Sequence, residues 1–140
     1  MKLTFDKRNL DVTEFVFSRD DTTATTVVET LKGEGVKIRF IDSSNGEASI
    51  VLSSITEVND FIEGVRLTKE RRGSMGFEAD DVTLSIKRNT YGEPYELAVE
   101  FVFTVELSPT PYDFDYIYGE ISMDDSEHFI DSIQRYFKKV

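Results

Sequence analysis

From residue 97 to residue 107, apolar side chains stand at every odd position (Leu97, Val99, Phe101, Phe103, Val105, Leu107), while Glu100, Thr104 and Glu106 take even ones. A pleated backbone sends successive side chains to opposite faces, so this is a long amphipathic strand with one face to bury and one to leave in water. The same period of two recurs along the chain. Leu10 to Phe17 and Thr23 to Leu31 read as strands separated by the turn-forming Arg19-Asp20-Asp21. Val36, Ile38 and Phe40 alternate with Lys37 and Arg39, and after Asn45-Gly46 the pattern returns in Ala48, Ile50 and Leu52. Asn-Gly between two alternating runs predicts a hairpin. Met75 to Ala79, Val82 to Lys87 and Tyr112 to Ile121 complete the set. Ser108-Pro109-Thr110-Pro111 is a connection, because proline lacks the ladder donor.

Twice the period changes to 3.6. Ile55, Val58, Phe61, Ile62 and Val65 share one side of a helix over about 54–70, opened by Ser54-Ile55-Thr56-Glu57 at capping-box spacing. Phe129, Ile130, Ile133 and Phe137 mark a second helix over about 124–138, with Asp124 and Asp125 at its start and Lys138 and Lys139 at its end, where each charge complements the helix dipole. Two helices cannot supply the crossovers of a parallel sheet, and the strands follow one another through turns. The expected fold is therefore α+β: a mainly antiparallel curved sheet of about six to eight strands with both helices packed on it. We find no internal repeat, low-complexity segment or linker, and 140 residues suit a single domain over 1–140.

Charge adds a second kind of information. The formal net charge is −11, and it is unevenly spread: residues 1–72 carry −2 and residues 73–140 carry −9. Such a field repels phosphate and anionic lipid, which disfavours direct binding to nucleic acid or a membrane surface, and it draws in a basic protein partner. The same acidity also serves solubility. No segment approaches membrane-spanning length, and the first residues are charged too early for a signal peptide, so a cytoplasmic location is expected.

Chemistry-bearing patterns are sparse. There is no cysteine, so thiolate metal sites and thiol nucleophiles are excluded. His128 is the sole histidine and reads as a solvated surface residue at a helix start. Asp42-Ser43-Ser44-Asn45-Gly46-Glu47 lacks the alternating ligands and distant glutamate of a calcium loop and reads as a turn. Gly73-Ser74-Met75-Gly76 lacks the lysine and spacing of a phosphate loop, and Lys69-Glu70-Arg71-Arg72 is too short for a nucleic-acid footprint. The expectation is a binding protein without enzymatic activity, cofactor or metal. Its candidate partner-binding residues are Tyr112, Asp113, Asp115, Tyr116 and Tyr118, where rings alternate with carboxylates, together with Glu100 and Glu106 on the polar side of the long strand. Rings supply rigid contact area and acids select a basic partner. The plainer reading sets these rings on the core side of an edge strand with Asp113 and Asp115 in water, and a change of parity at Ile117, Gly119 and Ile121 suits a bulge. Free edge strands would also permit homodimer pairing.

The passage Leu52-Ser53-Ser54-Ile55-Thr56-Glu57-Val58-Asn59-Asp60-Phe61-Ile62, the amphipathic strands, and the closing Asp124-Asp125-Ser126-Glu127-His128-Phe129-Ile130 resemble small immunity proteins of bacterial polymorphic toxin systems, in particular the WapI-like group. The likeness covers roughly residues 36–137 as a pattern of apolar and acidic positions. It implies a protein that binds a cognate toxin domain, often a basic nuclease, and blocks it by occlusion; no binding residue is carried over. The rival readings are an inhibitor of a host defence nuclease encoded by a phage, a module that encloses a small molecule between sheet and helices, and a structural subunit of a larger particle.

Overall fold

Four strands, β1 (Val12–Arg19), β2 (Thr22–Leu31), β3 (Gly35–Asp42) and β4 (Gly46–Leu52), lead into helix α1 (Ile55–Glu70); four more, β5 (Ser74–Ala79), β6 (Val82–Tyr91), β7 (Glu96–Glu106) and β8 (Phe114–Ser122), lead into helix α2 (Ser126–Phe137). The computed structural model describes residues 12–19, 22–31, 33–43, 46–70, 74–79, 82–91, 96–106 and 114–138. All pairings are antiparallel, and the α+β class holds. One expectation is corrected: the strands do not form one curved sheet. They divide into two four-stranded meanders, β1-β2-β3-β4 and β5-β6-β7-β8. The cause is α1, which removes the chain from the edge of the first sheet after β4 and starts a new one. Alternation reveals which side of a strand is apolar and is silent about which sheet the strand joins.

Local chemistry sets the joints. The β3–β4 hairpin forms where Asn45-Gly46 predicts it, with Asp42 opposite Gly46 at a φ of +109°, a backbone conformation that a residue without Cβ adopts at little cost. At the start of α1 the Glu57 amide donates to Ser54 Oγ at 3.2 Å, as the capping box predicts; the Ser54 hydroxyl in turn points at the Glu57 carboxylate, 3.4 Å away. The second helix starts differently from its sequence reading. Asp124 and Asp125 lie in a 3₁₀ turn over Met123–Asp125, which Ser122 caps by accepting the Asp125 amide at 3.3 Å; Asp125 is then the N-cap position of α2, without a side-chain cap bond of its own.

The two helices match each other in a way that alternation conceals. Buried α1 positions 58, 61, 62, 64, 65 and 68 correspond to buried α2 positions 126, 129, 130, 132, 133 and 136, each pair 68 residues apart. Phe61-Ile62-Glu63-Gly64-Val65 and Phe129-Ile130-Asp131-Ser132-Ile133 repeat the same order of aromatic, aliphatic, acid, small and β-branched side chains. The molecule is thus a doubled ββββα unit, contrary to the expectation of no repeat.

Each helix packs chiefly on the sheet of the other unit. α1 lies against β6, with contacts to β5 and β7 and to its own neighbour β4, whereas α2 lies across β2 and β3. β8 touches all four strands of the first sheet, so it crosses them instead of extending their ladder. Five phenylalanines from five elements meet in the shared core. Phe40 packs on Phe101 at 4.8 Å between ring centroids, Phe101 on Phe61 at 6.0 Å and on Phe129 at 5.8 Å, and Phe129 on Phe15 at 5.7 Å. Full burial of one such ring stabilises by about 1.5–3 kcal/mol, and edge or offset contacts add to it.

Candidate partner-binding surface

β8 carries the aromatic segment that the sequence singles out, and its pairing with β7 runs without a bulge from Ala98 opposite Ser122 to Glu106 opposite Phe114. The change of parity has another cause. Ile117, Gly119 and Ile121 turn to the core, where Gly119 leaves room for Phe40: a Cβ at that position would lie 2.3 Å from Phe40 Cδ1. Tyr116 and Tyr118 therefore take the other side of the strand. Tyr116 is 45% exposed and Tyr118 half-buried, their rings stacked at 6.5 Å and 17°. This corrects the plainer reading, in which these rings face the core.

The register sets Tyr116 opposite Thr104, Tyr118 opposite Val102 and Glu120 opposite Glu100, so positions 100 and 106 of β7 share the parity of the tyrosine side of β8. Asp115 pairs with Val105 and belongs to the opposite parity, next to Ile117 along the strand, so the ring-acid alternation is split between two faces. For Glu100, Glu106 and Asp115 the backbone alone is described, and Tyr112 and Asp113 lie outside the described residues. Below the tyrosines, Tyr118 donates its amide to Asp42 Oδ2 at 3.4 Å, which ties β8 to the end of β3. Asp42 and Glu120 are both buried. Asp42 reads from sequence only as the start of a turn, and Glu120 carries no sequence mark, because an acid in an alternating run has the same signature whether its face meets water or another sheet.

A second acidic surface is built by the helices. Glu57, Asp60, Glu63 and Glu70 of α1 and Glu127 and Asp131 of α2 are exposed, as is Asp124 in the preceding turn. Between the helices runs an open groove of about 440 Å³ lined by Asn59, Ile62, Glu63, Arg66, Glu70 and Gln134. The i, i+3, i+7 spacing of Glu63, Arg66 and Glu70 already places them on one helix stripe. The helices are joined by Lys69 Nζ and Glu127 Oε1 at 2.7 Å; that hydrogen bond, with the lysine charge, holds the Glu127 carboxyl below the ordinary carboxylate range.

His128 is exposed, and its ring meets Phe15 edge-on at 5.3 Å. Of the basic cluster, Lys69 serves the Glu127 contact, while Arg71 and Arg72 lie outside the described residues. Among the described residues no group of three or more histidine or carboxylate side chains is placed to hold a metal ion, and no helix is long and apolar enough to cross a membrane.

In comparison with known proteins, the chain matches no protein-family model, and no curated protein is similar enough to count as a relative.

Proposed function

We propose that this chain is a small binding protein of immunity type, a single cytoplasmic domain that neutralises a basic partner, a toxin domain such as a nuclease, by covering it. The observation that carries this reading is the exposed Tyr116, stacked on Tyr118 at the edge of the sheet that belongs to the more acidic half of the chain. An edge tyrosine offers a rigid ring and a hydroxyl for a partner to cover, and tyrosines at the centre of an interface are frequent energetic anchors. The field of the surrounding carboxylates accelerates encounter with a cationic surface, and it does so most strongly at low ionic strength. Glu100 and Glu106 share the tyrosine parity and are assigned to steering; Asp113 and Asp115 complete the acidic segment.

The test is affinity capture from lysate of the source cell at low and high salt, followed by assay of any captured protein with and without added wild-type chain. The reading expects a basic protein whose activity falls when the chain is added and whose affinity drops about 30-fold with Tyr116→Ala, the size of a hot-spot loss. A captured protein that keeps full activity, or that binds Tyr116→Ala as tightly as wild type, overturns it.

A further inference from the structure

The outer face of the first sheet has no role in the reading above, and its composition differs from the rest of the molecule. By register it is a grid. Val12, Glu29, Lys37 and Val51 form one row across β1 to β4; Glu14, Val27, Arg39 and Ser49 the next; Val16, Thr25, Ile41 and Glu47 the third. The described elements that pack on this sheet meet its other side, through Phe40 against Gly119 of β8 and Phe15 against Phe129 of α2. On the outer side Val16 is 59% and Val51 41% exposed, whereas Val27, in the middle row, is buried.

Three carboxylates (Glu14, Glu29, Glu47) and two cations (Lys37, Arg39) leave this face at −1 in a chain of −11. Two copies of so acidic a protein repel each other, and a face at −1 opposes their approach only weakly. The order of charges in the first row is also self-complementary. A two-fold axis parallel to the strands, placed between β2 and β3, lays β2 over β3 of a second copy and β1 over its β4, with rows kept in line. Glu29 then faces Lys37 of the second copy and Val12 its Val51, while in the other two rows Val27 faces Arg39 and Val16 faces Glu47. The symmetry makes each contact twice.

We propose that the outer face of β1 to β4 is a self-association surface, through which two copies of this chain form a reversible face-to-face dimer held by Glu29 of each copy against Lys37 of the other. Four strands about 4.8 Å apart and eight residues at about 3.3 Å each give a face of roughly 19 by 27 Å, about 500 Å² per copy. Two such faces bury about 1,000 Å² in total, the lower end for a specific interface, so the dimer dissociates in the micromolar range. This surface is distinct from the tyrosine edge of β8, so its failure leaves the proposed function standing.

Sedimentation velocity from about 5 to about 500 μM tests it, the range in which a micromolar dimer titrates. Wild type is expected to pass from monomer to dimer. Glu29→Lys and Lys37→Glu each juxtapose like charges across the axis and are expected to stay monomeric, with unchanged far-UV circular dichroism as the control for folding. Mixed in equal amounts, the two single variants are expected to form a heterodimer, since lysines at both positions of one copy then meet glutamates at both positions of the other. The mixture separates this surface from the Glu29–Lys37 pairing within one chain, which mixing does not restore. A wild type that is monomeric throughout, a dimer insensitive to both substitutions, or single variants that remain monomeric when mixed would overturn the proposal.

Discussion

Thr26 sits at the centre of β2 with no exposure to water, between Phe15 and Phe40 in the register, and its hydroxyl lies among the buried oxygens without a hydrogen-bond partner. An orphaned buried hydroxyl costs about 1–3 kcal/mol, and valine has nearly the same shape without that cost. Thr26→Val is therefore expected to stabilise the fold by about 1 kcal/mol and to raise the melting temperature by a few degrees, read by differential scanning calorimetry. Gly119 gives the opposite case. Its missing Cβ admits Phe40 close to the β8 backbone, with Cγ and Cβ of that side chain 3.0 and 3.1 Å from the added methyl as well as Cδ1 at 2.3 Å. Phe40 is fully buried against Phe101 and has little room to retreat, so Gly119→Ala is expected to destabilise by about 1–3 kcal/mol, seen as a lower urea midpoint at unchanged slope. From sequence, Gly119 was legible only as a break in an aromatic run. The ring it accommodates is 79 residues away in the chain, a pairing that no local period encodes.

At the scale of elements, the alternating strands and the first helix were readable because each carries its own period and its own start signal, as Ser54 and Glu57 do for α1. Ends were less so: a 3₁₀ turn capped by Ser122 precedes the second helix and shifts its start to Ser126, and three acids or hydroxyls in a row make equivalent candidates. Ser54→Ala is expected to cost about 1 kcal/mol of stability, the usual value of a serine cap. The contact between the helices is sensitive to pH. The folded state holds Glu127 below the ordinary carboxylate range through Lys69, so this contribution is present above that range and is lost as the pH falls through the folded value. Glu127 is largely in water, which keeps the effect small. The melting-temperature difference between wild type and Glu127→Gln is thus expected to be slight near neutrality and to vanish in acid, where both side chains are uncharged.

For the whole molecule, two halves of the same ββββα plan could have formed two small domains, and the exchange of helices argues against that outcome. α1 covers the second sheet and α2 the first, so neither sheet keeps its cover if the other unit unfolds. The aromatic core repeats the lesson, since Phe15, Phe40 and Phe61 come from the first unit and Phe101 and Phe129 from the second. Thr13 Oγ1 and Tyr136 Oη add a hydrogen bond between β1 and α2, the first and last elements described. Removing one ring from such a core should therefore be felt on both sides. Phe101→Ala is expected to cost about 3–5 kcal/mol and to lower protection against hydrogen exchange in β2 and β3 as much as in β6 and β7, with urea unfolding still a single transition by both circular dichroism and tyrosine fluorescence. Loss of protection confined to the second sheet would mean that the units unfold independently despite the exchanged helices. A stiff shared core also holds the Tyr116 edge and the outer face of β1 to β4 in fixed shapes, and fixed shapes bind with less ordering to be done on contact.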